Sequence, residues 1–189
     1  KPIAFDTVPA NMMIDEAMRY FFQKEYDQNG DIAWVGQIHD ALLNELKSHP
    51  YLTMSYPKST GRESFGSAYV HSLLKKYSDV KAEDIIRTFT YFTSYCVYQS
   101  IQAYNKPLDR LILSGGGAHN SLIKHDLKVL NPGVDVITQE DLGYSSDAKE
   151  AIAFVVLANQ TLHQQSSNVI SVTGAKQAVI LGNITMVPY

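Results

Sequence analysis

The stretch Arg110-Leu-Ile-Leu-Ser-Gly-Gly-Gly-Ala-His-Asn120 constrains this chain more than any other. A β-favouring run ends in three consecutive glycines, and an apolar helical pattern follows. Glycine has no Cβ, so the backbone at Gly115, Gly116 and Gly117 can turn sharply and lie close to a flat or anionic group. A helix starting directly afterwards points its free N–H groups at the same place. The stretch is not a P-loop, because no Gly-Lys-Ser/Thr follows. It is not the dinucleotide fingerprint either: Gly115 and Gly117 fit G-x-G, but Asn120 stands where the third glycine belongs. Taken alone it hints at nucleotide or phosphate, while a plain turn is the commoner use of such glycines.

The rest of the pattern extends this into an α/β chain. A short strand is expected over 3–5, closed by Asp6-Thr-Val-Pro9, and apolar spacing predicts a helix over 11–25. Asp27-Gln-Asn-Gly-Asp31 reads as the turn that ends it; Gly30 is misplaced for a calcium loop. Helices are predicted over 37–46, 65–77 and 82–104, with a polar loop over 48–64. The 82–104 helix is apolar over too wide an arc for a surface position and is expected to cross the core. Strand 110–114, helix 122–130, strand 134–138, helix 147–163 and a last strand 178–181 complete the order, which predicts a mainly parallel sheet covered by helices.

With 189 residues, 45% hydrophobic and 19% charged, the chain suits one sizeable domain. A net charge of -3 gives no electrostatic reason to expect nucleic acid or an anionic membrane. No apolar run approaches the roughly 20 residues of a membrane span. The single cysteine, Cys96, excludes an internal disulfide, suits a reducing cytoplasm and reads as a buried structural thiol. The six histidines show no zinc-site spacing, so no metal ligands are assigned. The chain opens at Lys1-Pro-Ile-Ala-Phe-Asp6 without Met or signal-peptide pattern, and the expectation is a fragment or processed chain that shares its function with a missing part.

A few residues stand where chemistry is possible. Asp6, at the carboxyl end of a strand, is placed to take a proton from water or a hydroxyl, although an Asx-turn ahead of Pro9 is the simpler reading. Glu150 closes a D-x-x-E capping box with Asp147, unless Ser145 or Ser146 caps the helix and leaves Glu150 facing a ligand. Lys58 and Arg62 flank hydroxyls and a glycine, which fits an anion site and a bracing loop about equally. Ser171-Val-Thr-Gly-Ala175 reads as a loop leading to the last strand.

In this order, Phe5-Asp-Thr-Val-Pro-Ala-Asn11, Pro57-Lys-Ser-Thr-Gly-Arg-Glu63, Leu113-Ser-Gly-Gly-Gly-Ala-His-Asn120, Asp147-Ala-Lys-Glu-Ala-Ile-Ala-Phe154, Ser171-Val-Thr-Gly-Ala175 and Val179-Ile-Leu-Gly182 resemble the bacterial anhydro-N-acetylmuramic acid kinases. The resemblance implies the sugar kinase/heat-shock chaperone/actin superfamily, in which two ribonuclease-H-like lobes close over ATP. This chain would be a single carboxy-terminal lobe over 1–189, an α/β mixed sheet with helices on both faces, and inactive without its amino-terminal lobe. The implied reaction opens the 1,6-anhydro ring of anhydro-N-acetylmuramic acid with water and phosphorylates O6 from Mg-ATP, in cytoplasmic cell-wall recycling. Asp6 carries over as general base, Glu150 as a sugar contact, and Gly115, Gly116 and Gly117 as the adenosine-side loop. A homodimer is also implied. The family writes Phe-Asp-Thr-Gly-Pro-Gly-Asn, whereas this chain has Val8 and Ala10. A positive φ at Val8 would cost about 1–3 kcal/mol. The alternative expectation is therefore a non-catalytic interaction or regulatory domain that keeps the fold.

Overall fold

The computed structural model describes residues 2–8, 10–55 and 58–185. Lys1, read above as mid-chain, Pro9 of the Asp6 loop, and Tyr56 and Pro57 of the long loop lie outside the described residues. The element order is α1 (Met12–Phe22), α2 (Asp31–Val35), α3 (Asp40–Lys47), α4 (Arg62–Phe65), α5 (Ser67–Lys76), α6 (Ala82–Tyr104), β1 (Arg110–Leu113), α7 (Ser121–Leu130), β2 (Asp135–Thr138), α8 (Lys149–Leu162) and α9 (Ile170–Thr173). One-turn 3-10 segments stand at Gln28–Gly30, Pro50–Thr53, Gly116–His119 and Glu140–Leu142.

The α/β class stands. β1 and β2 pair in parallel, Leu111 opposite Val136 and Leu113 opposite Thr138, with α7 as the crossover between them. The strands expected over 3–5 and 178–181 do not form. A ladder needs a neighbour at register, and the backbone bonds at these segments are isolated ones: Asp6 N–H, just after the first, donates to Lys58 O at 3.0 Å, and Ser167 N–H donates to Val179 O at 3.1 Å. The expected helix over 65–77 is two helices, broken at Gly66.

α6 crosses the core as its pattern predicts, packed against α1, α2, α3 and α7. Ile85, Ile86, Phe89, Phe92 and Cys96 are buried along it. Its buried hydroxyls meet their own helix: Thr90 Oγ1 donates to Ile86 O at 2.8 Å and Ser100 Oγ to Cys96 O at 2.9 Å. Burying a hydroxyl without such a partner would cost stability, so these hydroxyls turn back one turn. Arg87 on α6 meets Asp126 on α7 through two parallel bonds of 2.6 and 3.0 Å, the two side chains 15% and 5% exposed. Burial pushes the Cys96 thiol up to about 12, in keeping with an inert structural role.

α8 is built differently. None of its residues is buried, and Phe154, Val155 and Leu162 are about 70% exposed. An apolar helix of this kind is ordinarily covered on several sides. Its side-chain bonds to other elements sit at its ends, Lys149 Nζ to Ser114 Oγ at 2.8 Å and Thr161 Oγ1 to Leu181 O. No described helix is long and apolar enough to cross a membrane.

Candidate active site

The glycine turn leaves β1 as expected. Gly115 has φ +75°, the left-handed region that glycine adopts freely, and Gly116–His119 form a single 3-10 turn. Asn120 then caps α7, its Oδ1 accepting from Leu122 and Ile123 N–H at 3.1 and 3.2 Å. A Cβ on Gly116 would stand 3.5 Å from Asn11 Nδ2, and one on Gly117 3.6 Å from Asn11 Oδ1, both ordinary contacts. Nothing inside the chain demands glycine at these two positions. Gly116 instead borders a cleft of about 490 Å³, lined also by Asn11, Ile14, Asp15, Tyr26 and His119.

Asp6 is exposed, and its carboxylate is oriented from across the chain. Oδ2 accepts from Ser59 Oγ at 2.7 Å and from Thr60 N–H at 3.0 Å. The Tyr51 hydroxyl donates to the Asp6 carbonyl at 2.7 Å. These long-range partners replace the expected Asx-turn: the 58–64 loop holds the carboxylate by Oδ2, and the second oxygen has no hydrogen bond among the described residues.

The two cations of that loop divide. Lys58 is buried, its Nζ donating to the Tyr51 and Leu52 carbonyls at 3.1 and 3.3 Å, so it braces the loop. Arg62 is exposed on α4, and its side chain has no bonded partner among the described residues.

At α8 neither expected serine caps the helix: Ala148 holds the cap position without a side-chain cap bond, and Ser145 Oγ accepts from Ala148 N–H at 3.2 Å in the turn before it. Asp147 turns to His119 Nε2 at 3.4 Å. The Glu150 side chain, exposed in the first turn, makes no hydrogen bond among the described residues and is free to meet a ligand. The 171–175 segment is a helical turn ending at Gly174, φ +70°, with Ser171 Oγ donating to Pro2 O at 2.8 Å.

The departures at 8 and 10 also have a structural outcome. Val8 is buried in the core cluster, whereas the positive φ falls on Ala10, at +45°. The strain expected at Val8 is thus at Ala10, held by Thr93 Oγ1 donating to its carbonyl at 3.1 Å.

Sequence reasoning passed over Asn11 and Asp15 as site residues. Both lie on the cleft face of α1, a spacing of four that places them one turn apart. Asn11 Oδ1 is buried without a partner among the described residues, and burial pushes the Asp15 carboxyl up to about 6.

A family model described as anhydro-N-acetylmuramic acid kinase matches residues 1–187. Curated relatives of that description include one from Clostridioides difficile (strain 630), 49% identical over 189 residues, covering 98% of this chain and 49% of the relative. Others are from Bacillus thuringiensis subsp. konkukian (strain 97-27), 49% identical over 193 residues, and Bacillus cereus (strain AH820), 48% identical over 193 residues; each match covers 98% of this chain and 50% of the relative. The chain spans about half the length of the curated relatives it matches.

Proposed function

Because this chain belongs to the anhydro-N-acetylmuramic acid kinase family, we propose that it supplies one side of an ATP-dependent sugar kinase site, completed by the half of the relatives' length that it does not span. The observation that carries this reading is the Asp6 carboxylate, exposed yet fixed through one oxygen by Ser59 and Thr60. Such a group takes a proton with its free oxygen and loses little by being ordered. In the reaction, Asp6 takes a proton from water as the water oxygen bonds to C1 of the anhydro sugar. The C1–O6 bond breaks, and O6 accepts the γ-phosphoryl group of ATP, giving N-acetylmuramic acid 6-phosphate and ADP. Glu150, its side chain unbonded at the start of α8, is the sugar contact, and Gly116 and Gly117 leave room for the nucleotide.

A magnesium ion bound to the phosphates would neutralise charge on the transferring group. Among the described residues no group of three His, Cys, Asp or Glu side chains stands ready to hold a metal ion. The bare surface of α8 supports the remaining half of the polypeptide as cover, and a homodimer in the cytoplasm completes the reading. Val8 and Ala10 favour a second reading, an interaction domain without catalysis, because the backbone is strained where the family has glycine.

A coupled assay on the full-length protein with the anhydro sugar and Mg-ATP tests both. Asp6→Asn is expected to lower kcat by about 10²–10⁴-fold with little change in KM. An unchanged rate removes Asp6 as the base, and a protein that binds neither ATP nor sugar is the interaction domain.

A further inference from the structure

Asp15 is the group in the cleft that the reaction above leaves unused. Its carboxylate is half-buried and makes no hydrogen bond among the described residues. Arg19, the nearest cation on its own helix, is bonded to Glu16 at 2.7 Å. Asp27, the other acid of the cleft, has both oxygens committed, to Ile32 N–H at 2.9 Å and Ala33 N–H at 3.0 Å. Asn11 Oδ1, one turn before Asp15, is likewise an acceptor without a donor.

Beside the donor Asn11 Nδ2, the wall near Gly116 therefore holds two acceptors, Asn11 Oδ1 and the Asp15 carboxylate, that lack donors among the described residues. Phosphate oxygens are anionic and accept only, so a carboxylate there repels them. The nucleoside end of a nucleotide is the opposite case, since ribose hydroxyls and an exocyclic amine donate. We propose that Asp15 is the specificity-determining acceptor for the nucleoside, taking a hydrogen bond from a ribose hydroxyl or from the amino group of the base. Gly116 leaves the space in which that part of the ligand lies. This assignment rests on the nucleotide reading above and adds the residue that selects the nucleoside.

Calorimetric titration of the full-length protein tests it with ATP, 2′-deoxy-ATP, 3′-deoxy-ATP and the purine riboside triphosphate that lacks the 6-amino group. One analogue is expected to bind about 10- to 100-fold more weakly than ATP, the range of one hydrogen bond to a charged group. Which analogue it is tells whether the donor sits on ribose or base. Asp15→Ala should weaken ATP by a similar factor and bind that analogue no worse than ATP. Asp15→Asn keeps the shape and should narrow the discrimination, and it carries the comparison if the alanine variant does not fold. Equal binding of all four ligands to the unaltered protein overturns the assignment, as does discrimination that survives in both variants. Failure of the unaltered protein to bind ATP at all overturns the nucleotide reading itself, a result distinct from either.

Discussion

A Cβ placed on Gly36 would collide with the Glu83 carbonyl oxygen, whereas one on Gly116 would meet nothing nearer than Asn11 Nδ2 at 3.5 Å. The first glycine lets the end of α2 press on α6; the second faces the cleft. Gly36→Ala is therefore expected to cost about 1–3 kcal/mol in a urea unfolding curve, as overpacking does. Gly116→Ala should stay within about 1 kcal/mol of the parent on the same curve. In the full-length protein it should nevertheless weaken ATP binding by calorimetry; unaltered affinity there would mean that the glycine serves the turn alone. The site was partly legible at this scale. The glycines could be read from their place at the end of β1, whereas Asp6 was read from a strand that does not form, and Glu150 is left unbonded because no capping box closes at the start of α8. Asn11 and Asp15 gave no local signal, because an orphaned acceptor becomes visible only when neighbouring elements have closed around it.

Among the elements, α6 and α7 are joined by the Arg87–Asp126 pair, two charges that neutralise each other within the packed interface. Removing one leaves the other buried. Asp126→Ala is expected to destabilise by about 3–5 kcal/mol, read from the thermal or urea midpoint. Replacing both by apolar residues of similar volume should cost much less. The bounds of α6 match the sequence pattern because its apolar arc and acidic first turn act locally. α2 escaped because Asp27-Gln-Asn-Gly-Asp31 reads as an ending. The Asp27 carboxylate instead reaches forward to Ile32 and Ala33 and starts a new helix, with Gly30 at φ +80° turning the chain. The expected strands over 3–5 and 178–181 failed for a non-local reason. Alternation of side chains says that a segment is able to pair, while a ladder also needs a partner strand beside it.

For the whole molecule, every buried residue among those described lies at or before Ser146. Regions with few apolar contacts open at far less free energy than the core. Trypsin offered this chain should thus cut first at Lys149 and Lys176, and leave a fragment whose unfolding midpoint is close to that of the uncut chain. Mass spectrometry of the digest checks the order of cuts; early cleavage at Lys124 or Lys128 would contradict it. The same bare α8 makes protease resistance a measure of assembly. If the remaining half proposed above closes over the helix, Lys149 should survive digestion, so a timed digest reports whether the two halves have met without any substrate or nucleotide being present.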